Sequence, residues 1–116
     1  MLISDRTVSD ALEKLSQTDG EVATLKAIMK SKEHQRATIK ALAYLEAEQI
    51  AIEKGERWSV AKKEAVAMGS PKYRKWVEEF ENSVADYETM NNERNTHILE
   101  VEVWRSEQAN RRRGNV

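Results

Sequence analysis

Apolar residues recur every three or four positions along most of the chain, which is the spacing of helices that bury one face. From position 71 onward the steps alternate between four and three, the heptad pattern of a helix that packs lengthwise against another. This seam comprises Tyr73, Val77, Phe80, Val84, Tyr87, Asn91, Arg94, Ile98, Val101 and Arg105. One proline and four glycines in 116 residues are too few turn residues for a many-stranded β fold. The sequence therefore predicts an all-α fold.

Capping residues and glycines divide this pattern into four predicted helices. They cover residues 8–17, about 20–54, 60–68 and about 71–110. Thr18-Asp19-Gly20 is expected to end the first helix, and Ser70-Pro71 marks the start of the last, because serine caps a helix and proline is tolerated at its first position. One long helix cannot bury its own apolar stripe. The two long helices are therefore expected to pack as an antiparallel hairpin in a single domain, residues 1–116.

Each predicted long helix contains a polar interruption, at residues 30–36 in the first and 91–97 in the second. In a hairpin closed by residues 55–70, the two interruptions lie at similar distances from the turn and are expected to face each other. The sequence leaves three interpretations of this polar waist open: a device that fixes the register of the helices, a hinge, or a binding groove.

The composition argues against catalysis and against a membrane protein. Cysteine is absent, so neither a disulfide framework nor a Cys-based metal site is expected. The two histidines, His34 and His97, belong to no metal-binding pattern, and no phosphate-binding loop or nucleophile elbow is found. No apolar run approaches the roughly 20 residues that span a bilayer, and no secretory signal is recognised. We therefore expect a cytoplasmic protein that is not an enzyme and that has no cofactor or metal.

The basic residues are grouped along the chain, and the groups are candidates for contact with phosphates. Lys32, Arg36 and Lys40 recur every four residues and are expected to share one helix face. The region of the turn combines cations with Trp58, which lies outside the apolar pattern, and residues 111–116 are expected to form a flexible basic tail. Cations hold phosphates, and aromatic faces stack on unpaired bases. The predicted nucleic-acid-binding residues are Lys32, Arg36, Lys40, Lys54, Arg57, Trp58, Lys62, Lys63, Lys72, Arg74, Lys75, Arg111, Arg112 and Arg113.

An alternative interpretation assigns the same residues to structural roles. The helix cations would pair with Glu33, Glu46, Glu48 and Glu64, and aromatic residues such as Tyr73 and Trp76 would belong to the core. The acidic segment 76–102 would repel DNA and could instead meet the basic groups of a second copy, which favours a homo-oligomer. In this case the chain is an α-helical protein–protein interaction or oligomerisation module without DNA binding.

Three stretches of the sequence carry a resemblance to known proteins. They are KALAYLEAE at 40–48, SVAKKEAVAMGS at 59–70 and EVWRSEQANRR at 102–112. With the order long helix, short basic helix, small-residue break and long helix, residues 37–112 resemble small helical proteins that tailed phages encode beside replication and recombination genes. They also resemble, faintly, UvsY-type recombination mediators.

This resemblance implies non-sequence-specific DNA binding, self-assembly, and help in loading phage or host replication and recombination proteins on DNA. By position, Lys62 and Lys63 are the phosphate contacts that it implies. The acidic segment in the last helix differs from what is expected of a protein that binds single-stranded DNA. The choice between single- and double-stranded DNA therefore stays open. We therefore expect a DNA-binding accessory protein of phage replication or recombination, located in the host cytoplasm.

Overall fold

The computed structural model describes residues 2–114, and all of their regular structure is helical. The order is α1 (Asp5–His34), α2 (Arg36–Lys54), α3 (Val60–Met68) and α4 (Pro71–Arg112). The predicted all-α fold is confirmed. Within the described part of the chain, no helix has an apolar run long enough to cross a bilayer.

The first helix is longer than the sequence predicts, and the predicted break at Thr18-Asp19-Gly20 is wrong. α1 starts at Asp5, where the Ser4 side chain accepts a hydrogen bond from the Thr7 N–H (3.1 Å). It continues past Gly20, because one glycine inside a helix costs only about 1 kcal/mol relative to alanine. The Thr18 hydroxyl donates to the Lys14 carbonyl (2.7 Å), so this threonine is accommodated within the helix.

The predicted long helix 20–54 is instead divided at Gln35, inside its polar interruption. Gln35 keeps helical dihedral angles, φ −76° and ψ −13°. Its N–H is shared between the carbonyls of Ser31 and Lys32, both at 3.2 Å, a bifurcation that is common at helix ends. The junction is therefore a local irregularity that needs neither glycine nor proline, and the apolar pattern gives no sign of it.

The described residues form two compact units. The turn unit is Ala27–Ala85, and the terminal unit combines Met1–Lys26 with Asp86–Val116, of which residues 2–26 and 86–114 are described. The predicted single domain and basic tail extend to residues 1, 115 and 116, which lie outside the described residues.

The core of the turn unit lies between α2 and α3. Ala43 and Ala47 on α2 meet Ala67 on α3, and all three are buried. Alanine side chains let two helices approach closely, at the short end of the usual 8–10 Å between axes. Half-buried residues pack around this centre: Tyr44, Trp58, Val66 and Tyr73.

The chain reverses between α2 and α3 through two caps, Gly55 and Ser59. Gly55 ends α2 with a left-handed φ of 67°, a conformation that glycine adopts without a steric penalty. The Glu56 N–H then donates to the Ala51 carbonyl (3.0 Å). Ser59 caps α3, with its side chain accepting from the Lys62 N–H (3.1 Å).

α4 runs antiparallel to α1 and α2 within the turn unit. Lys72 near its start pairs with Glu46 on α2 (2.6 Å), and the Trp76 indole N–H, one turn later, donates to the Lys32 carbonyl at the end of α1 (2.9 Å). Trp76 is buried and stacks on Phe80, with ring centroids 5.3 Å apart. This unit confirms the predicted hairpin and the assignment of Trp76 to the core.

Polar contacts join α1 and α4 within the terminal unit. The Arg94 guanidinium donates to the Leu15 carbonyl (2.7 Å) and the Thr18 hydroxyl (2.7 Å), and it pairs with Asp19. The Trp104 indole donates to Asp5 (2.9 Å). Residues further along α4 meet residues earlier in α1, so the two segments are antiparallel here as well.

The predicted polar waist is wrong, because each interruption contacts a different part of the opposite helix. Residues 30–36 meet the first turns of α4, whereas Arg94, within 91–97, meets the middle of α1. One cause is α3, which packs on the last turns of α2, so that α4 begins beside Glu46 instead of beside the end of α2. The predicted hairpin places Lys32 opposite about residue 93, whereas Lys32 pairs with Glu79, so the register there differs by about four turns.

Candidate nucleic-acid interface

Trp58 lies at the centre of the basic residues near the α2–α3 turn. The Lys62 and Lys54 ammonium groups lie 4.7 and 5.9 Å from its ring centroid, within the range of cation–π attraction. Arg57 and Lys63 line a cleft of about 380 Å³ together with Trp58. These five residues, Lys54, Arg57, Trp58, Lys62 and Lys63, are called the Trp58 cluster below.

The turn geometry explains why these residues converge. Gly55 reverses the chain after Lys54, and Ser59 starts α3 in an extended conformation, with ψ 161°. Trp58 lies between the two caps, where its ring packs on the alanine core. The sequence predicts that this indole is exposed to a ligand; in the structure it is half-buried, and its N–H donates to Glu56 (2.7 Å).

Two carboxylates accompany the cations of the Trp58 cluster. Lys62 lies 3.9 Å from Glu56, and Lys63 lies 3.6 Å from Glu48. The hydrogen bond from the Trp58 indole lowers the pKa of Glu56 below its ordinary value, with partial desolvation opposing and the charges of Lys62 and Lys54 assisting. Glu56 is therefore ionised at neutral pH. Four cations against two carboxylates leave the cluster positive.

A second basic cleft lies at the α1–α2 junction. Its volume is about 700 Å³, and its lining residues are Lys30, Glu33, His34, Arg36, Ala37 and Lys40. The Arg36 guanidinium also lies over the Trp76 and Phe80 rings, at 5.3 and 5.5 Å. Lys30 is not among the nucleic-acid-binding residues predicted from the sequence, although its spacing from His34 and Ala37 places the three on one helix face.

Lys32 does not line the second basic cleft, although it lies beside Trp76 of α4, as Arg36 does. Its ammonium group donates to Glu79 on α4 (2.6 Å), and its carbonyl accepts from Trp76. The hydrogen bond from the Lys32 ammonium group and the charge of Lys32 lower the pKa of Glu79, with desolvation opposing and the charge of Lys75 assisting. Lys32 thus lies on the side of α1 that faces α4.

The cations at the start of α4 differ in their availability. Lys72 donates to Glu46 (2.6 Å), whereas Arg74 and Lys75 are exposed and make no ion pair among residues 2–114. Tyr73 packs half-buried against the alanine core. The alternative interpretation, in which helix cations pair with nearby glutamates, is confirmed for Glu46 and Glu48, which pair with Lys72 and Lys63.

The terminal arginines lie at the end of α4. Arg111 and Arg112 are in its last turn, two residues beyond the predicted end of the helix. Arg113 follows in a turn, where its N–H is shared between the carbonyls of Ala109 and Asn110, both at 3.2 Å. Where the sequence predicts a flexible tail from residue 111, the first two arginines are therefore helical.

Comparison of the chain with protein-family models, with curated proteins and with solved structures gives no match. Among the described residues, no group of three or more histidine, aspartate or glutamate side chains is suited to hold a metal ion.

Proposed function

We propose that the protein is a DNA-binding accessory protein of phage replication or recombination, and that the Trp58 cluster is its main phosphate-binding surface. The observation that supports this is the convergence of Lys54, Arg57, Lys62 and Lys63 around one half-buried indole. Such a group neutralises several phosphates without reading bases, so binding depends little on sequence. The link to phage replication comes from the resemblance of residues 37–112.

The ion pairs of the Trp58 cluster leave its lysines available for phosphates. At 3.9 and 3.6 Å, the pairs of Lys62 and Lys63 are longer than hydrogen bonds, and surface pairs of this kind contribute only about 0–1 kcal/mol. A phosphate can therefore replace the carboxylates at little cost. Lys32 and Lys72 are hydrogen-bonded to Glu79 and Glu46 at 2.6 Å. They are therefore expected to contribute less to phosphate binding than Lys62 and Lys63.

Trp58 has a supporting role in this proposal. With Lys62 and Lys54 lying over the ring, the indole holds their stems in place, which lowers the conformational entropy lost on binding. A base can stack on the indole only where these ammonium groups move toward phosphates. Base stacking is therefore a secondary contribution to the affinity for DNA. Because unpaired bases stack on aromatic rings, the strength of this stacking determines the preference for single-stranded over double-stranded DNA.

The test is a fluorescence-anisotropy titration with single- and double-stranded oligonucleotides of equal length at about 50 and 200 mM salt. If the cluster contacts four phosphates, affinity falls about a hundredfold over this range. The double variant Lys62→Gln/Lys63→Gln is expected to lower the slope of log K against log salt by about 2. Its matched control is Lys14→Gln/Lys26→Gln, two exposed lysines outside the cluster.

Absence of binding at the lower salt concentration would contradict DNA binding itself. An unchanged salt slope in the Lys62→Gln/Lys63→Gln variant, with binding retained, would contradict the assignment to the Trp58 cluster. The basic cleft with Arg36 and Lys40 would then be the next site to neutralise.

A second candidate function is a protein–protein interaction module without DNA binding. The observation that favours it is the exposure of large apolar side chains on α2, among them Leu42 and Leu45. In the same titration, this function predicts no affinity for either oligonucleotide at any salt concentration.

A further inference from the structure

α2 buries its small side chains and exposes its large ones. Ala43 and Ala47 are each 1% exposed, whereas Leu42 is 43% and Leu45 is 58% exposed. Burying a leucine side chain contributes about 1.5–3 kcal/mol, well above the contribution of an alanine. A helix that only had to fold this chain would turn its leucines inward, so the arrangement indicates a second partner for α2.

Leu45, the more exposed of the two leucines, borders a groove between α2 and α3. The groove has a volume of about 480 Å³ and is lined by Ala37, Lys40, Ala41, Tyr44, Leu45, Glu64, Ala67 and Met68. Met68 is 48% exposed on the α3 side. Ala37 and Ala41 present small side chains, which let another helix approach the floor closely. Apolar grooves with a few charges at the rim are typical of interaction sites.

The two charges of the groove point to the identity of the occupant. Lys40 stands on the α2 side and Glu64 on the α3 side, and neither makes an ion pair within residues 2–114. In a twofold dimer, contacts are reciprocal, because the same surface serves both subunits. One surface that carries a cation and an anion on opposite walls is complementary to itself under this symmetry.

We propose that two copies of the chain associate through this groove, with α2 of each subunit seated between α2 and α3 of the other. Leu45 and Met68 form the apolar centre, and Lys40 pairs with Glu64 of the partner subunit, twice in the dimer. The proposal uses no residue of the Trp58 cluster, and of the predicted nucleic-acid-binding residues it uses Lys40 alone.

The experiment is sedimentation equilibrium of the full chain in the absence of DNA over a wide concentration range. Leu45→Asp is expected to weaken association by at least about a hundredfold, since it buries an unpaired charge. The matched control is Leu99→Asp, which changes an equally exposed leucine (59%) in the terminal unit and should leave the dissociation constant unchanged.

Charge exchange separates a true interface from a folding defect. Lys40→Glu and Glu64→Lys alone each place like charges opposite one another and should weaken the dimer about tenfold. The double variant Lys40→Glu/Glu64→Lys restores both pairs with reversed polarity and should recover the wild-type dissociation constant. A misfolded protein would not be rescued by a second charge reversal.

Three results would overturn the proposal: a monomeric wild type at every concentration, unchanged association in Leu45→Asp, or no rescue in the charge exchange. A monomeric wild type would leave the groove to an amphipathic helix of a different protein. The Lys62→Gln/Lys63→Gln variant should dimerise normally, so failure of the DNA-binding proposal and failure of this one are distinguishable.

Discussion

Different kinds of contact stabilise the interior of the turn unit and the interior of the terminal unit. In the turn unit, α3 adds a third helix, and the alanine core is extended by the aromatic residues Tyr73, Trp76 and Phe80. Among the described residues of the terminal unit, the helices are segments of α1 and α4, and the buried residues are Val8, Ala11 and Val101. Two helices bury one narrow stripe each, so hydrophobic burial is smaller in the terminal unit.

Polar contacts compensate for the smaller core of the terminal unit. Arg94 reaches two side chains and one backbone carbonyl on α1, and Glu107 accepts from the Ile3 N–H (2.9 Å). Such contacts are directional, so they define which residues face each other more strongly than they stabilise the pair. The difference indicates that packing holds the turn unit and that hydrogen bonds fix the register of the terminal unit.

Removing Trp76 is the strongest test of packing in the turn unit. The indole is buried, stacks on Phe80 and donates to the Lys32 carbonyl. Trp76→Ala is therefore expected to lower the free energy of unfolding by about 3–5 kcal/mol, as measured by urea denaturation. Hydrogen exchange should show the largest loss of protection within residues 27–85.

The matched control is Trp104→Ala in the terminal unit. Trp104 is half-buried, and its indole donates to Asp5, so its loss should cost clearly less than the loss of Trp76. Equal costs for the two variants would contradict the view that packing is concentrated in the turn unit.

Removing the Arg94 guanidinium tests the polar register of the terminal unit. Arg94→Met keeps most of the side-chain volume but leaves the Thr18 hydroxyl and Asp19 without this donor. The expected loss is about 1–3 kcal/mol in urea denaturation, and the loss of protection should fall within residues 2–26 and 86–114. Arg105→Met, at an exposed position of the same helix, should change stability by less than about 0.5 kcal/mol.

If Arg94→Met were as mild as Arg105→Met, the guanidinium contacts would not hold the register. Arg94→Lys provides a further comparison, because it keeps the charge but not the planar group that reaches several acceptors at once. It should fall between wild type and Arg94→Met.

Local signals in the sequence predicted the turn unit well. Gly55, Ser59 and Ser70 are caps with few alternatives, and they place α3 and the start of α4 at the predicted residues. The heptad seam of α4 is also present and Val101 within it is buried, but the buried side is rotated toward Trp76 and Ser83. Positions 98 and 105 of the predicted seam are exposed as a result.

The register and the inner face of α2 could not be predicted from local signals. The two polar interruptions are predicted to face each other because they lie at similar distances from the turn. That prediction assumes that α4 begins beside the end of α2, whereas α3 covers the last turns of α2 and α4 begins beside Glu46. Leu42 and Leu45 fit a helical stripe as well as the alanines do, so periodicity alone could not select the face that α3 packs on. The convergence around Trp58 likewise depends on how α3 returns to α2, which no spacing in the sequence reveals.

Two glycines, one in each unit, provide the smallest and most local test. Gly20 lies within α1 with open space around its Cα, and an alanine there should stabilise the protein by about 1 kcal/mol through helix propensity. Gly55 has equally open space but a φ of +67°, which costs an alanine about 1–2 kcal/mol. Gly20→Ala and Gly55→Ala should therefore shift the midpoint of thermal unfolding in opposite directions, each by several degrees.

The opposite signs make this pair informative, because the substitution and the free space are the same at both sites. Only the backbone conformation differs, helical at Gly20 and left-handed at Gly55. A loss of stability in Gly20→Ala would mean that α1 does end near Thr18-Asp19-Gly20 and that the shorter first helix expected from the sequence is correct. A gain in Gly55→Ala would place the end of α2 elsewhere and would remove the turn that brings Lys54, Arg57 and Lys62 around Trp58.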